Sequence, residues 1–149
     1  MSRLQLALNV RDLAKAIDHY SRVFGVAPAK VRPGYANFVV AEPPLKLVLM
    51  EDASAIDSVN HLGIEVESVD EVRAAHDRVT AAGLPTVVEG ETTCCFAVQD
   101  KFWIEGGEQP FEVYTVLADA DVRSAGAEQE ACCTPTSESV VSFRTTPPA

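Results

Sequence analysis

Leu4-Gln5-Leu6-Ala7-Leu8-Asn9-Val10, with Asp12 two residues on, has a counterpart in Asn60-His61-Leu62-Gly63-Ile64-Glu65-Val66, with Ser68 two residues on. In both stretches apolar and other side chains alternate, the pattern of a strand with one greasy face. In both, a helix-capping residue follows the strand at the same distance. Asp12 can cap a helix whose Leu13, Ala16, Ile17, Tyr20 and Phe24 recur at helical spacing before Gly25 stops it. Ser68-Val69-Asp70-Glu71 is a capping-box signature. Val72, His76 and Val79 mark the face of the second helix, and Gly83 followed by Pro85 ends it. A strand–helix unit that occurs twice fixes the architecture before any other feature is considered.

The rest of each half completes the repeat. After the first helix, Pro33-Gly34 makes a turn, 35–41 reads as a strand, Pro43-Pro44 breaks it, and 45–50 is another strand. After the second helix, 86–89, 95–98, 102–104 and 111–117 read as short strands. Asn37-Phe38-Val39-Val40 is matched with Cys95-Phe96-Ala97-Val98, and Pro44-Leu45-Lys46-Leu47 with Pro110-Phe111-Glu112-Val113. The expected fold is α+β: two βαβββ modules, over 1–52 and 53–118, form a shared concave sheet with both helices outside. Together they make one compact domain. The tail, 119–149, is rich in Ala, Ser, Thr, Glu and Pro without a sustained period and is expected to be mostly disordered.

Composition narrows the function. At 149 residues the chain suits one domain that buries roughly 70% of its unfolded surface without a disulfide staple. A net charge of −10 excludes a basic patch for nucleic acid or an anionic membrane. No leader-like segment or long apolar span is present, so the expected location is the cytoplasm. There the four cysteines, Cys94-Cys95 and Cys132-Cys133, are expected to be reduced and to serve as ligands or nucleophiles. A bridge within either pair would be strained, because neighbouring Cα atoms are about 3.8 Å apart and disulfides prefer about 5.5–6 Å.

Strand alternation decides which side chains share the concavity. Gln5, Ala7 and Asn9 fall on that face in one half, and His61, Gly63 and Glu65 in the other; Glu112 and Tyr114 share a face of the last strand. The repeat makes Gln5 equivalent to His61 and Lys46 equivalent to Glu112, so these four are expected to converge. Three of them, Gln5, His61 and Glu112, can bind a metal, whereas a protonated Lys46 cannot. An amide oxygen, an imidazole and a carboxylate leave coordination positions open, as in catalytic metal sites. A His-plus-carboxylate set suits Fe(II) oxygen chemistry. His61 and Glu112 also have structural readings: a hydrogen-bonded strand histidine and a carboxylate with some other partner.

Cys94 and Cys95 can be two small buried hydrophobes in a strand. Neighbours in a regular strand point to opposite faces, so holding one soft atom between them requires a loop or bulge there. Gly90 and Thr92-Thr93 upstream allow one. The segment 100–110, with Gly106-Gly107, is either a mobile lid beside the thiols or a plain hairpin connection.

The two-module pattern resembles the vicinal oxygen chelate superfamily of glyoxalase I, extradiol dioxygenases and fosfomycin-resistance proteins. More narrowly, Gln5-Leu6-Ala7-Leu8-Asn9-Val10, Pro33-Gly34-Tyr35-Ala36-Asn37-Phe38, Pro44-Leu45-Lys46-Leu47-Val48-Leu49, Asn60-His61-Leu62-Gly63, Thr92-Thr93-Cys94-Cys95-Phe96-Ala97 and Glu112-Val113-Tyr114-Thr115-Val116-Leu117 are similar to the bacterial carbon–arsenic bond lyases, a family that includes cadmium-induced proteins. The likeness covers roughly 2–119, and its most specific part surrounds Cys94-Cys95. It implies a non-haem Fe(II), O2-dependent enzyme that converts trivalent methylarsenical, or a trivalent aromatic arsenical, to inorganic arsenite. It implies Gln5, His61 and Glu112 as the iron ligands and Cys94 and Cys95 as the arsenic ligands. A thiol-based cadmium- or arsenite-binding protein without catalysis is the alternative from another class; Cys132 and Cys133 suit it. A glyoxalase or fosfomycin-type enzyme is a third. Lys46 at the fourth position argues against a four-ligand glyoxalase centre. A site within one chain, or one shared between the swapped modules of a homodimer, both fit the sequence.

Overall fold

A computed structural model describes residues 1–124. The order of elements is β1 (Arg3–Val10), α1 (Leu13–Phe24), β2 (Lys30–Arg32), β3 (Tyr35–Val40), β4 (Leu45–Glu51), β5 (Val59–Glu65), α2 (Val69–Ala81), β6 (Thr86–Cys94), β7 (Ala97–Ile104) and β8 (Phe111–Asp119). The strands form one mixed eight-stranded sheet in the order β2-β3-β4-β1-β5-β8-β7-β6. Its halves are arranged alike about the central antiparallel pair β1–β5. Parallel pairs flank that centre on both sides, β1 with β4 and β5 with β8.

The helices begin where the capping residues sit. Asp12 accepts from the Lys15 amide and Ser68 from the Glu71 amide, satisfying N–H groups that have no partner within the helix. The Glu71 carboxylate reaches back to the Glu67 amide, one residue before the cap. Gly25 ends α1 in the left-handed conformation, which carries no Cβ penalty there. Ala16, Ile17, Tyr20 and Phe24 of α1 pack on Phe38, Leu47 and Leu49. Val72 and Ala75 of α2 pack on Phe102 and Val113. Burying each large side chain stabilises the fold by roughly 1.5–3 kcal/mol. These two clusters hold the helices on one side of the sheet and leave the alternate strand residues to line the other.

Two expectations about the second half are corrected. Residues 97–104 are one strand, not two short ones split at Asp100-Lys101, and Cys95-Phe96 lies outside it. The match of Asn37-Phe38-Val39-Val40 with Cys95-Phe96-Ala97-Val98 is therefore out of place. β3 pairs with β4 as 97–104 pairs with β8, Asn37 opposite Val48 and Trp103 opposite Glu112, so the β3 segment corresponds to one further along β7. The local Phe-x-Val likeness misled because the β6–β7 hairpin is much longer than β2–β3. The segment 100–110 is the end of β7 plus a hairpin connection into β8, the second of its two readings. The described chain continues a short way past β8. Asp119 ends β8, the Ala120 amide bonds to the Phe96 carbonyl, and the Cys95 amide bonds to the Arg123 carbonyl. The remaining tail and Cys132-Cys133 lie outside the described residues. The strand β2 went unseen in the sequence because three residues are too few to show a period.

Candidate functional site

One row of the sheet carries the site. Gln5 on β1 stands opposite Lys46 on β4 and opposite Gly63 on β5, and Gly63 stands opposite Glu112 on β8. Gly63 has no side chain, so Gln5 and Glu112 meet across it, Nε2 to Oε1, at 2.7 Å. A Cβ at Gly63 would lie 2.9 Å from both Glu112 Cγ and the Glu112 carbonyl oxygen. His61, one inward position before Gly63, adds its Nε2 at 3.1 Å from Gln5 Nε2 and 3.1 Å from Glu112 Oε1. All three side chains are at most 4% exposed.

Three of the four residues expected to converge do so. Lys46 does not: its ammonium is turned to Glu65, 2.8 Å away. The helix caps make Gln5 the mate of His61, but the sheet register sets Gln5 beside Lys46 while Gly63, not His61, stands beside Glu112. The two repeats are thus out of step at this point. The mate of Gly63 is Ala7, and it faces Val48. An apolar residue therefore holds the place where a fourth donor would stand.

Neighbours fix the donors. His61 Nδ1 lies 2.7 Å from Asn60 Oδ1, and Asn60 Nδ2 donates to Asn9 Oδ1 at 3.0 Å. With its amide nitrogen committed to Asn9, Asn60 presents oxygen to the ring. Nδ1 then carries the hydrogen, and Nε2 keeps a lone pair toward Gln5 and Glu112. On the far side of Glu112, Lys101 Nζ sits 3.1 Å from Oε2 and 3.7 Å from Glu89 Oε2, and is 1% exposed. Burial alone would raise the Glu112 pKa. The Lys101 ammonium, with the Gln5 amide N–H beside it, outweighs burial and holds the carboxyl down to about 2. Burial opposes the Lys101 charge too, yet Glu112, Cys94 and Glu89 together raise it above the ordinary lysine range. The ring of Trp103 closes the wall, packing edge-on to His61 at 5.4 Å and beneath Lys101 at 4.9 Å.

The donor set suits a borderline divalent cation. One imidazole nitrogen, one carboxylate oxygen and the Gln5 amide nitrogen lie with mutual contacts of 2.7, 3.1 and 3.1 Å, so an oxygen ligand from Gln5 requires its amide turned over. Three ligands at right angles around bonds of about 2.1 Å would stand roughly 3.0 Å from one another. All three come from one chain, so the arrangement needs no second copy.

Cys94 and Cys95 lie at the tip of the β6–β7 hairpin. Cys94 pairs with Ala97, which leaves Cys95-Phe96 as a two-residue turn. Both turn residues have positive φ, 54° and 62°. Such turns ordinarily take Asn-Gly, and left-handed backbone at two residues with side chains is strained by on the order of 1–3 kcal/mol each. Hydrogen bonds secure it: Lys30 Nζ and the Ala120 amide both donate to the Phe96 carbonyl, each at 3.0 Å. Lys30 also pairs with Asp119 at 2.6 Å. The turn meets the condition set by strand geometry. It brings Cys95 Sγ to 3.1 Å from Cys94 Sγ, too far for a bond between them but close enough to share an atom. Cys94 packs with Ala7, Tyr35, Val48 and Met50. By strand alternation these residues share the face of Gln5 and Lys46, so the thiol pair and the donor triad look onto one concavity. Burial pushes the nearby Tyr35 phenol up to about 12. Holding one atom between the two sulfurs requires both as free thiols. Two-thiol chemistry thus belongs to the reduced protein.

Strand alternation placed Glu65 and Tyr114 on the site's face without showing their contact, and Lys101 and Asn60 were not found by it. Reading 97–104 as one strand would have found Lys101, since it then alternates inward with Gln99 and Trp103.

A curled mixed sheet of two like halves, with two outer helices and buried donors where the halves meet, defines a class. The chain belongs to the glyoxalase/bleomycin resistance protein/dioxygenase superfamily, whose model matches residues 3–106. Among solved structures it is similar to the Mn(II)-bound glyoxalase of Novosphingobium aromaticivorans, with a TM-score of 0.57 and 20% identity over 85% of this chain and 44% of that one. Within the superfamily, the chain belongs to the family of trivalent organoarsenical cleaving enzymes and cadmium-induced CadI proteins. It is 56% identical to the trivalent organoarsenical cleaving enzyme of Thermomonospora curvata over 91% of this chain and 90% of that protein. It is 53% identical to the cadmium-induced protein CadI of Mycobacterium tuberculosis H37Rv over 89% and 93%. No helix among the described residues is long and apolar enough to cross a membrane.

Proposed function

We propose that this protein cleaves the carbon–arsenic bond of trivalent organoarsenicals, releasing inorganic arsenite, with O2 as oxidant and Fe(II) as metal. Trivalent methylarsenical is the first substrate, with trivalent aromatic arsenicals alongside it. The 56% identity to a protein named for organoarsenical cleavage supports the reaction class. The observation that carries the reading is the pair of adjacent sulfurs 3.1 Å apart on the face that also bears Gln5, His61 and Glu112.

In this reading Gln5, His61 and Glu112 hold the iron, which when bound supplies the redox chemistry with O2. Cys94 and Cys95, as thiolates, hold the arsenic atom so that its remaining carbon substituent faces the triad. The left-handed Cys95 makes that grip possible by turning both sulfurs the same way. Lys101 keeps Glu112 ionised in a site with almost no solvent exposure. Asn60 holds His61 in the tautomer whose Nε2 is an acceptor. The rings of Tyr35, Phe96 and Trp103 keep bulk water from the concavity. A two-thiol site fits a cytoplasmic protein, since cysteines stay reduced there.

The test is turnover of trivalent methylarsenical by wild type and Cys95→Ser, with bound iron measured in both. The expected outcome is lost turnover with iron retained; full turnover in the variant would remove the two-thiol role. A protein that only binds soft ions would hold the arsenical without any dependence on O2.

A further inference from the structure

The side of Gln5 that faces away from His61 and Glu112 carries a second buried network. The Tyr114 hydroxyl contacts Gln5 Oε1 and lies 3.0 Å from Glu65 Oε2. Glu65 in turn receives Lys46 Nζ at 2.8 Å and an Arg3 guanidinium nitrogen at 3.2 Å. These cations outweigh burial and keep the Glu65 pKa below the ordinary carboxylate range, so Glu65 only accepts. Tyr114 has one hydroxyl hydrogen. With the amide oxygen toward it, two acceptors compete for that one hydrogen. Meanwhile the Gln5 amide nitrogen donates across the triad to Glu112.

Turning the amide over resolves that competition. Its nitrogen would then donate to the Tyr114 oxygen, and the Tyr114 hydrogen would go to Glu65. On the other side, Gln5 oxygen, His61 Nε2 and Glu112 Oε1 would face one another as three acceptors. Such a cluster is stable only around a cation. Each orientation thus suits one state: nitrogen inward without metal, oxygen inward with it. No group changes charge between them.

We propose that Tyr114 and Glu65 are positioning residues that switch the Gln5 amide, Glu65 drawing the Tyr114 hydrogen so that the phenol oxygen accepts from Gln5 and the amide oxygen turns to the metal. This rests on the reading of Gln5 as a ligand. Lys46 has a role within it: by holding Glu65 ionised, it acts on the site from outside the triad.

The test is titration of the reduced full chain with Co(II) alone, followed by visible absorption, for wild type, Tyr114→Phe, Gln5→Ala and the double variant. Tyr114→Phe is expected to weaken Co(II) binding by about 10- to 100-fold, as loss of an outer partner does. In the Gln5→Ala background the same change should have almost no effect, a coupling that a purely structural tyrosine would not show. Weakened binding in Gln5→Ala with none in Tyr114→Phe overturns the switch. So does an equal loss from Tyr114→Phe in both backgrounds. Unchanged binding in Gln5→Ala would instead remove Gln5 from the ligand set. A measurement on the wild type avoids any folding defect. With Zn(II) bound, nuclear Overhauser contacts from the Gln5 amide protons should reach the Tyr114 ring; contacts to His61 instead would overturn the proposal.

Discussion

Replacing Gly63 with alanine tests the row that brings Gln5 and Glu112 together. The added methyl would sit 2.9 Å from Glu112 Cγ, 2.9 Å from the Glu112 carbonyl oxygen and 3.4 Å from Gln5 Nε2. The first contact can yield by a change of side-chain angle, but that moves the carboxylate away from His61. The second cannot yield so simply, because β5 and β8 are paired at this point. Overpacking of this kind costs about 1–3 kcal/mol. At this size that lowers Tm by roughly 2–12 °C. Cation affinity should fall as well, because the displaced groups are the donors themselves. Gly34→Ala is the control: its φ of +70° strains an alanine, yet nothing lies within 4 Å. It should cost about 1–2 kcal/mol of local strain and leave cation affinity alone. Thermal unfolding and Co(II) titration of both variants read the outcome. Unchanged Co(II) affinity in Gly63→Ala would refute the claim that a missing side chain lets the donors meet.

Other consequences follow from the same residues. Lys101→Met leaves Glu112 buried without its cation. The metal-free variant should lose about 3–5 kcal/mol by chemical denaturation, and saturating divalent metal should restore about 2.7 kcal/mol at one hundred times its Kd. Glu112 also sets a pH dependence. Its folded pKa of about 2 lies below the ordinary 4.5. The stability it contributes is therefore present above about 4.5 and lost as pH falls toward about 2. Glu112→Gln should flatten that limb of the metal-free stability profile and abolish cation binding; a steep limb that survives would assign it to other carboxylates. Lys30→Met removes a hydrogen bond from the strained Cys95-Phe96 turn. It should raise KM for trivalent methylarsenical several-fold with bound iron unchanged, and an unaltered KM would show the turn holds without it.

The central geometry was legible because two independent patterns agreed. Strand alternation put Gln5 and His61 on one face, and the caps Asp12 and Ser68 gave the repeat. Where only one pattern was available, the reading slipped. Lys46 was paired with Glu112 from a short Pro-x-x likeness, and nothing in the sequence reported the register that sets Lys46 beside Gln5 and turns its ammonium to Glu65. Lys101 was hidden because a lysine next to an aspartate reads as solvated surface. Its burial depends on Glu112 and Glu89, which arrive from two other strands. The thiol turn was expected as a loop or bulge. Its left-handed form rests on contacts from Lys30 and from the Ala120 and Arg123 backbone, all distant in the chain.

The proposed function requires the thiol pair and the donor triad to act on one molecule in one concavity. Product analysis of trivalent methylarsenical, incubated with reduced, Fe(II)-loaded protein with and without O2, tests it most directly. Inorganic arsenite is expected only when iron and O2 are both present. Methylarsenical that stays bound and unchanged under every condition would contradict it and leave a soft-ion binding protein.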